Sequence, residues 1–211
     1  MGRRLPRSFF QRPSLVVAPA LLGTDVVRVL PDGTSLRARI VETEAYEPDD
    51  PASHAFRGLT VRNAVMFGPP GHLYVYLAYG MHHCMNIVCA TEGVASAILL
   101  RAAEPLEGLD AMRERRGAVP ARDLCRGPGR WTQAFAVDRG LDGTDVVGGR
   151  DLWLEHGVAT PSRRIVAGPR IGITSAADRP WRFCVAQSRF LSRPAGAISR
   201  PRSSPASRSS R

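Results

Sequence analysis

The octapeptide "RIVETEAY", residues 39–46, sets two carboxylates and a phenol at alternate positions. Strand side chains alternate faces, so Glu42, Glu44 and Tyr46 share one face while Val41, Thr43 and Ala45 share the other. The second set can pack on a core. The first stands in or beside a groove, where a carboxylate suits general-base work or the activation of water. A solvated face paired with nearby arginine meets the same pattern. A second stretch, "GHLYVYLAYGMHHCMNIV" at 71–88, holds three of the four tyrosines in the chain. Tyr74 and Tyr76 fall on one strand face and Tyr79 on the other, with Gly80 beside it to allow a sharp bend. Two rings line one surface and a third stands at a turn, or all three form the edge of a β core.

Other residues add candidates. His54 is either a loop residue or a ring on which a base stacks. Arg57, Thr60, Arg62 and Asn63 are donors suited to phosphate oxygens, in a stretch that also reads as a polar loop. His82, His83, Cys84 and Cys89 raise the question of zinc. Adjacent histidines on a strand face opposite ways and the spacing fits no usual ligand pattern, so no metal is expected. In "LCRGPGRWTQAF" a Gly-Pro-Gly turn opens a helix, as a plain cap or as a holder of phosphate.

The elements that must position these groups follow from pattern. Residues 26–30 and 36–45 read as a β-hairpin turned at Pro31-Asp32-Gly33. Further strands are expected at 73–79, 85–90, 97–102, 151–155, 165–167 and 182–186. "EPLEGLDAMRERRG", residues 104–117, reads as a helix with Pro105 at its start, Leu106, Leu109 and Met112 on one face, and Gly117 as its stop. A second helix follows "CRGPG", with Trp131, Ala134 and Phe135 inward. Strands dominate and helices are grouped, which predicts an α+β fold around a curved, mainly antiparallel sheet.

A chain of 211 residues, 44% hydrophobic, buries one core, so a single domain is expected over 8–192. Residues 1–7 read as a flexible N-terminus and the Arg/Ser-rich residues 193–211 as a disordered tail. The formal charge is +10 with a pI near 10.8. Such a field attracts polyanions, with nucleic acid first and an acidic membrane surface as the rival. All 29 basic residues are arginine, so no side chain can form a lysine Schiff base. The four cysteines have no disulfide-framework spacing and read as reduced thiols. No apolar run is long enough to cross a bilayer. Residues 15–17 are too short an apolar run for a signal peptide. A cytoplasmic protein is expected.

Taken together, "RIVETEAY", His54, "TVRN", "MFGPPGHLYVYLAYGM", "CMN", "LLRAAEPLEG" and "LCRGPGRWTQAF" occur in this order, and from about residue 8 to 192 the chain closely resembles the alkyladenine (3-methyladenine, methylpurine) DNA glycosylases. The resemblance implies excision of alkylated purines, and often hypoxanthine, from double-stranded DNA by a monomer without metal or other cofactor. It implies a protruding β-hairpin that inserts into DNA, with Tyr79 as the wedge and Met81 beside it. Tyr46, His54 and Tyr76 would sandwich the flipped base, and Asn86 would crowd the amino group of guanine. Glu44 would be the general base, Arg101 its partner in holding the attacking water, and the Ile171 carbonyl the rest of that water's site. Thr60, Arg62 and Asn63 would meet the DNA backbone. The loop between Tyr46 and His54 is one residue shorter than in some relatives, and His82 and His83 replace bulkier aromatics, which leaves base preference open. A non-catalytic minor-groove binder shares the charge and the tyrosine wedge but does not explain Glu44. A metal-dependent nuclease does not fit the scattered His and Cys.

Overall fold

The structure is a computed structural model that describes residues 2–196. Alternating apolar residues build eight strands: β1 (Asp25–Val29), β2 (Ser35–Tyr46), β3 (Leu73–Ala78), β4 (His82–Cys89), β5 (Ser96–Glu107), β6 (Leu152–Glu155), β7 (Ile165–Gly168) and β8 (Arg182–Val185). They form one sheet in the order β3-β4-β5-β2-β1-β6, with β8 paired to both β2 and β7. All pairings are antiparallel. Around this curled sheet sit α1 (Arg7–Phe10), α2 (Ser14–Ala20), α3 (Leu109–Arg116) and α4 (Pro128–Ala134). The α+β expectation holds, and so does a single domain.

The period of two sorts the sheet into two faces. Leu36, Ala38, Ile40, Leu73, Val75, Met85, Ile87, Ile98 and Leu100 enter the main core, where Val17 and Ala18 of α2, Met112 of α3 and Trp131 of α4 also lie. Tyr74, Val88 and Ala97 face the other way, in a smaller cluster with Ala55 and Met66. Phe135, just past α4, is buried with Trp131 and Ala134 as expected.

β2 is the pivot. Along its first half it pairs with β1, at Glu42–Glu44 it pairs with β8, and its other edge is taken by β5 throughout. The register of β2 with β5 slips on both sides of Glu42. Ile40 and Ala45 therefore lie in the main core, while Val41 packs in a separate cluster with Ala102, Cys184, Phe190 and Leu191. Strict alternation had placed Val41 with Ala45; a bulge, which inserts a residue and shifts the faces, breaks that rule.

Three expectations need correction. The helix foreseen over 104–117 begins only at Leu109, because Pro105 and Glu107 pair with Ala38 and Arg37 and carry β5 forward. Pro105 sits where the register shifts, a place at which a missing N–H is tolerated. Gly108 then turns the chain at φ 76°, and a side chain there would strike Leu36 and the Ser35 carbonyl. The strand expected over 73–79 ends at Ala78, and its partner starts at His82 rather than 85, so the two form a hairpin with Ala78 opposite His82. Finally, the N-terminus is packed rather than loose. Leu5 is buried and its N–H donates to the Leu154 carbonyl at 3.0 Å, and the Arg4 backbone pairs antiparallel with that of Glu155. An apolar side chain and a free edge of β6 outweigh the arginine-rich composition that suggested disorder. Of the expected tail, residues 197–211 lie outside the described residues.

Candidate active site

Glu44 lies on β2 where both edges of the strand are paired, opposite Leu99 of β5 and Arg182 of β8. Its backbone is fixed from both sides, and its side chain is fully buried. A carboxylate in the interior requires charge partners and hydrogen bonds. Arg101 Nη1 donates to Glu44 Oε2 at 3.2 Å, the Tyr46 hydroxyl donates to the same oxygen at 2.9 Å, and the Ile171 N–H donates to Oε1 at 2.8 Å. Burial alone would lower the Arg101 pKa, but Glu44 and Glu42 outweigh it and hold the guanidinium above its ordinary value. Burial, reinforced by Glu44, drives the Tyr46 phenol well up, so it remains a donor. Ile171 thus meets Glu44 through its N–H.

Above Tyr46 opens a pocket of about 290 Å³, lined among others by Tyr46, His54, Tyr76, Asn86, Ala97 and Gly172. His54 and Tyr76 meet edge to face with centroids 4.5 Å apart. The His54 Nδ1 and the Tyr74 hydroxyl share a hydrogen bond of 3.0 Å. Burial pushes Tyr74 up to about 12 and Tyr76 well above its ordinary range. Asn86 lies opposite Tyr74 across the hairpin, and its Nδ2 donates to the Tyr74 carbonyl at 3.1 Å. The walls therefore come from β2, β3, β4, β5, the 47–54 loop and residues 172–173, on the sheet face away from the main core.

The hairpin tip is Tyr79-Gly80-Met81. Tyr79 is 78% exposed and takes a left-handed φ of 51°, and Met81 is 77% exposed. A non-glycine residue in that region costs on the order of 1–3 kcal/mol. The Tyr79 hydroxyl reaches the Gly172 carbonyl at 3.3 Å, across the pocket mouth from β3. In the 58–63 loop Thr60 and Arg62 are exposed, and Arg62 also lines the pocket. Asn63 is not available to DNA as expected. It is buried, its Oδ1 accepts from the Thr60 N–H at 2.7 Å, and its Nδ2 donates to the His54 and Gly58 carbonyls. An Asn that closes a turn on itself spends its donors there. The His82 ring lies against Gly129, which explains the close-approach glycine in "CRGPG". Among the described residues, no three His, Cys, Asp or Glu side chains gather as a metal site.

One pair escaped sequence reasoning. Arg170 is buried, donates through Nη2 to Asp50 Oδ1 at 2.9 Å and through Nη1 to the Ala45 carbonyl at 3.1 Å, and lays its guanidinium 4.7 Å from the Tyr46 ring centre. It braces the ring behind the pocket and anchors the 47–54 loop that carries His54. The only signal was its place next to Ile171; nothing local links it to Asp50.

A methylpurine-DNA glycosylase family model matches residues 8–189 of the chain. The chain belongs to the methylpurine-DNA glycosylase family. A relative from Streptomyces avermitilis, provisionally named a 3-methyladenine DNA glycosylase, is 52% identical over 186 residues, 86% of this chain and 87% of the relative. A protein of the same provisional name from Carboxydothermus hydrogenoformans is 46% identical over 90% of this chain and 98% of its own length. A third, from Granulibacter bethesdensis, is 51% identical over 89% and 87%. The family acts on N-glycosyl bonds of DNA, in base-excision repair.

His54 gives this site a measurable signature. Packing of its ring against the tyrosines, and then the nearby Arg62 charge, lower its pKa from 6.5. Both effects disfavour the imidazolium, so the ring is neutral at pH 7 and charges only as pH falls below the ordinary value. Proton NMR of His54 should give a midpoint below 6.5, and Arg62→Gln should raise it. A wild-type midpoint at or above that value would contradict the geometry.

Proposed function

We propose that the chain flips alkylated purines out of duplex DNA and hydrolyses the N-glycosidic bond with a water activated by Glu44, leaving an abasic site. The observation that carries this reading is the buried Glu44, bonded to Arg101, to Ile171 and to Tyr46, whose ring lines an aromatic pocket. A binder of phosphate has no use for a carboxylate there.

The chemistry follows from the donor count. A carboxylate has about four acceptor sites. Two donors occupy Oε2 and one occupies Oε1, so Oε1 keeps capacity to take a proton from water. As the base leaves, positive charge grows on the sugar at C1′, and the Glu44 carboxylate, which stands nearer to it than the balancing guanidinium, stabilises it while water attacks from the Glu44 side. The departing bond is C1′–N; the new bond is C1′–O, with the water proton passing to Glu44. Extruding a nucleotide costs a few kcal/mol. Stacking on Tyr46, His54 and Tyr76 returns ~1–3 kcal/mol per base. A cationic alkylated purine gains further from the electron-rich ring faces, and it is already a good leaving group. Neutral His54 does not oppose that cation. Asn86, buried beside Tyr74, would crowd the amino group that guanine carries.

Outside the pocket, Tyr79 would enter the minor groove as the wedge that fills the gap, with Met81 beside it. Its exposure and left-handed backbone at the hairpin tip support this. Thr60 and Arg62 would meet the backbone phosphates. Without lysine, the reaction ends at the abasic site. The enzyme would act as a monomer, without a cofactor, in the compartment that holds the DNA.

Duplex DNA treated with dimethyl sulfate, incubated with the full chain with and without chelator, tests this. Free methylated purines should appear equally in both, with strand breaks only after alkali. Tight binding with no base release would make the chain a minor-groove binder, and chelator-sensitive nicking would make it a nuclease. Tyr79→Ser should separate flipping from chemistry. A fluorescent reporter beside the lesion should show the equilibrium moved towards the stacked base, while choice among bases is unchanged. If Tyr79→Ser flips normally but alters base choice, Tyr79 lines the pocket instead.

A further inference from the structure

The proposed chemistry uses one of the two carboxylates on β2 and leaves Glu42 without a task. Glu42 is as buried as Glu44 but, unlike Glu44, bonds to no side chain of the pocket lining. Its Oε1 accepts from Arg101 Nε at 3.2 Å, Arg182 Nε at 2.7 Å and the Ser192 hydroxyl at 2.7 Å, and its Oε2 accepts from the Ser192 N–H at 2.6 Å. Arg101 is thus shared: Nε on Glu42 and Nη1 on Glu44. A guanidinium is a rigid planar fork, so fixing the direction of Nε fixes that of Nη1.

Glu42 is itself held from outside the sheet. Arg182 of β8 donates through Nη2 to the Arg193 carbonyl at 2.6 Å, and Arg126 Nε donates to the Leu191 carbonyl at 2.9 Å. Phe190 and Leu191 pack on Val41, Ala102 and Cys184. The segment from Phe190 to Arg193 therefore closes over Glu42 on the side away from the base pocket. Two carboxylates and two guanidiniums share the cluster, so no charge in it is left unpaired.

We infer that Glu42, clamped by Ser192 of the segment that closes over β8, is a positioning residue that sets the angle at which Arg101 meets Glu44. This rests on the glycosylase reading above. It assigns the C-terminal edge of the domain a part in excision, although it touches neither base nor sugar. Removing the clamp leaves the pocket walls in place but lets the Arg101 fork swing, so DNA binding is spared and the chemical step is slowed.

The test compares wild type with Glu42→Gln, Ser192→Ala and Ser192→Thr, each as the full chain, on dimethyl sulfate-treated duplex DNA. Single-turnover release and affinity for that DNA are measured at a temperature where each variant is folded. Glu42→Gln should release methylated purines ~10-fold or more slowly, since small misplacements of a reacting group are costly. Its affinity should stay within ~2-fold of wild type, because no DNA-facing group is altered. Ser192→Ala should show a smaller loss of the same kind, and Ser192→Thr, which keeps the hydroxyl, should restore it. A merely structural role predicts a lower melting temperature with wild-type release below it, and that result overturns the inference. Should Glu42→Gln fail to fold, equal rates for wild type and Ser192→Ala would overturn it alone. Wild-type protein that releases no base would instead remove the glycosylase reading, and this inference with it.

Discussion

Two carboxylates two residues apart on one strand, both out of water, are the constraint on which this structure depends. Each buried ion costs several kcal/mol unless paired, and removal of one partner of such a pair costs about 3–5 kcal/mol. Arg101 on β5 answers both carboxylates at once, and Arg182 on β8 answers Glu42 as well. That requirement places β2 between β5 and β8 at Glu42–Glu44 and sets where the register must slip. The same pairing that makes burial tolerable also fixes the Glu44 carboxylate in one orientation.

Around that cluster the sheet divides its labour by face. The main core supplies most of the apolar burial on one side, with α2, α3 and α4 packed against it. The opposite face keeps the pocket tyrosines and Asn86, roofed by the 47–54 loop and the 170–173 segment. Residues of that last segment meet three parts of the site: Arg170 the Tyr46 ring and Asp50, Ile171 the Glu44 carboxylate, and Gly172 the Tyr79 hydroxyl. A short loop without regular structure thus ties the pocket wall, the candidate base and the hairpin tip together.

Much of this was legible in the chain because period two is a strong local signal. Tyr74 and Tyr76 share a face, Tyr79 stands apart at the turn, and Glu44 points with Tyr46. The parts that were not legible are those decided by distant partners. The slips around Glu42 arise from pairing with β5, and Pro105 extends a strand because Ala38 lies opposite it. Asn63 reads as a donor for phosphate but is spent on carbonyls that only the folded loop brings near. Leu5 reads as part of a flexible N-terminus but finds the free edge of β6. Arg170 with Asp50 and Ser192 with Glu42 are separated by more than a hundred residues, and no spacing rule connects them.

The central claim is that Glu44 acts on water rather than merely balancing Arg101. Glu44→Gln keeps the volume and the hydrogen bonds of a neutral side chain but cannot take the proton. Single-turnover release of methylated purines, measured with affinity for the same alkylated duplex, separates the two roles. The account predicts retained binding and release slowed by ~10²-fold or more. Release within a few-fold of wild type, with binding intact, would contradict it.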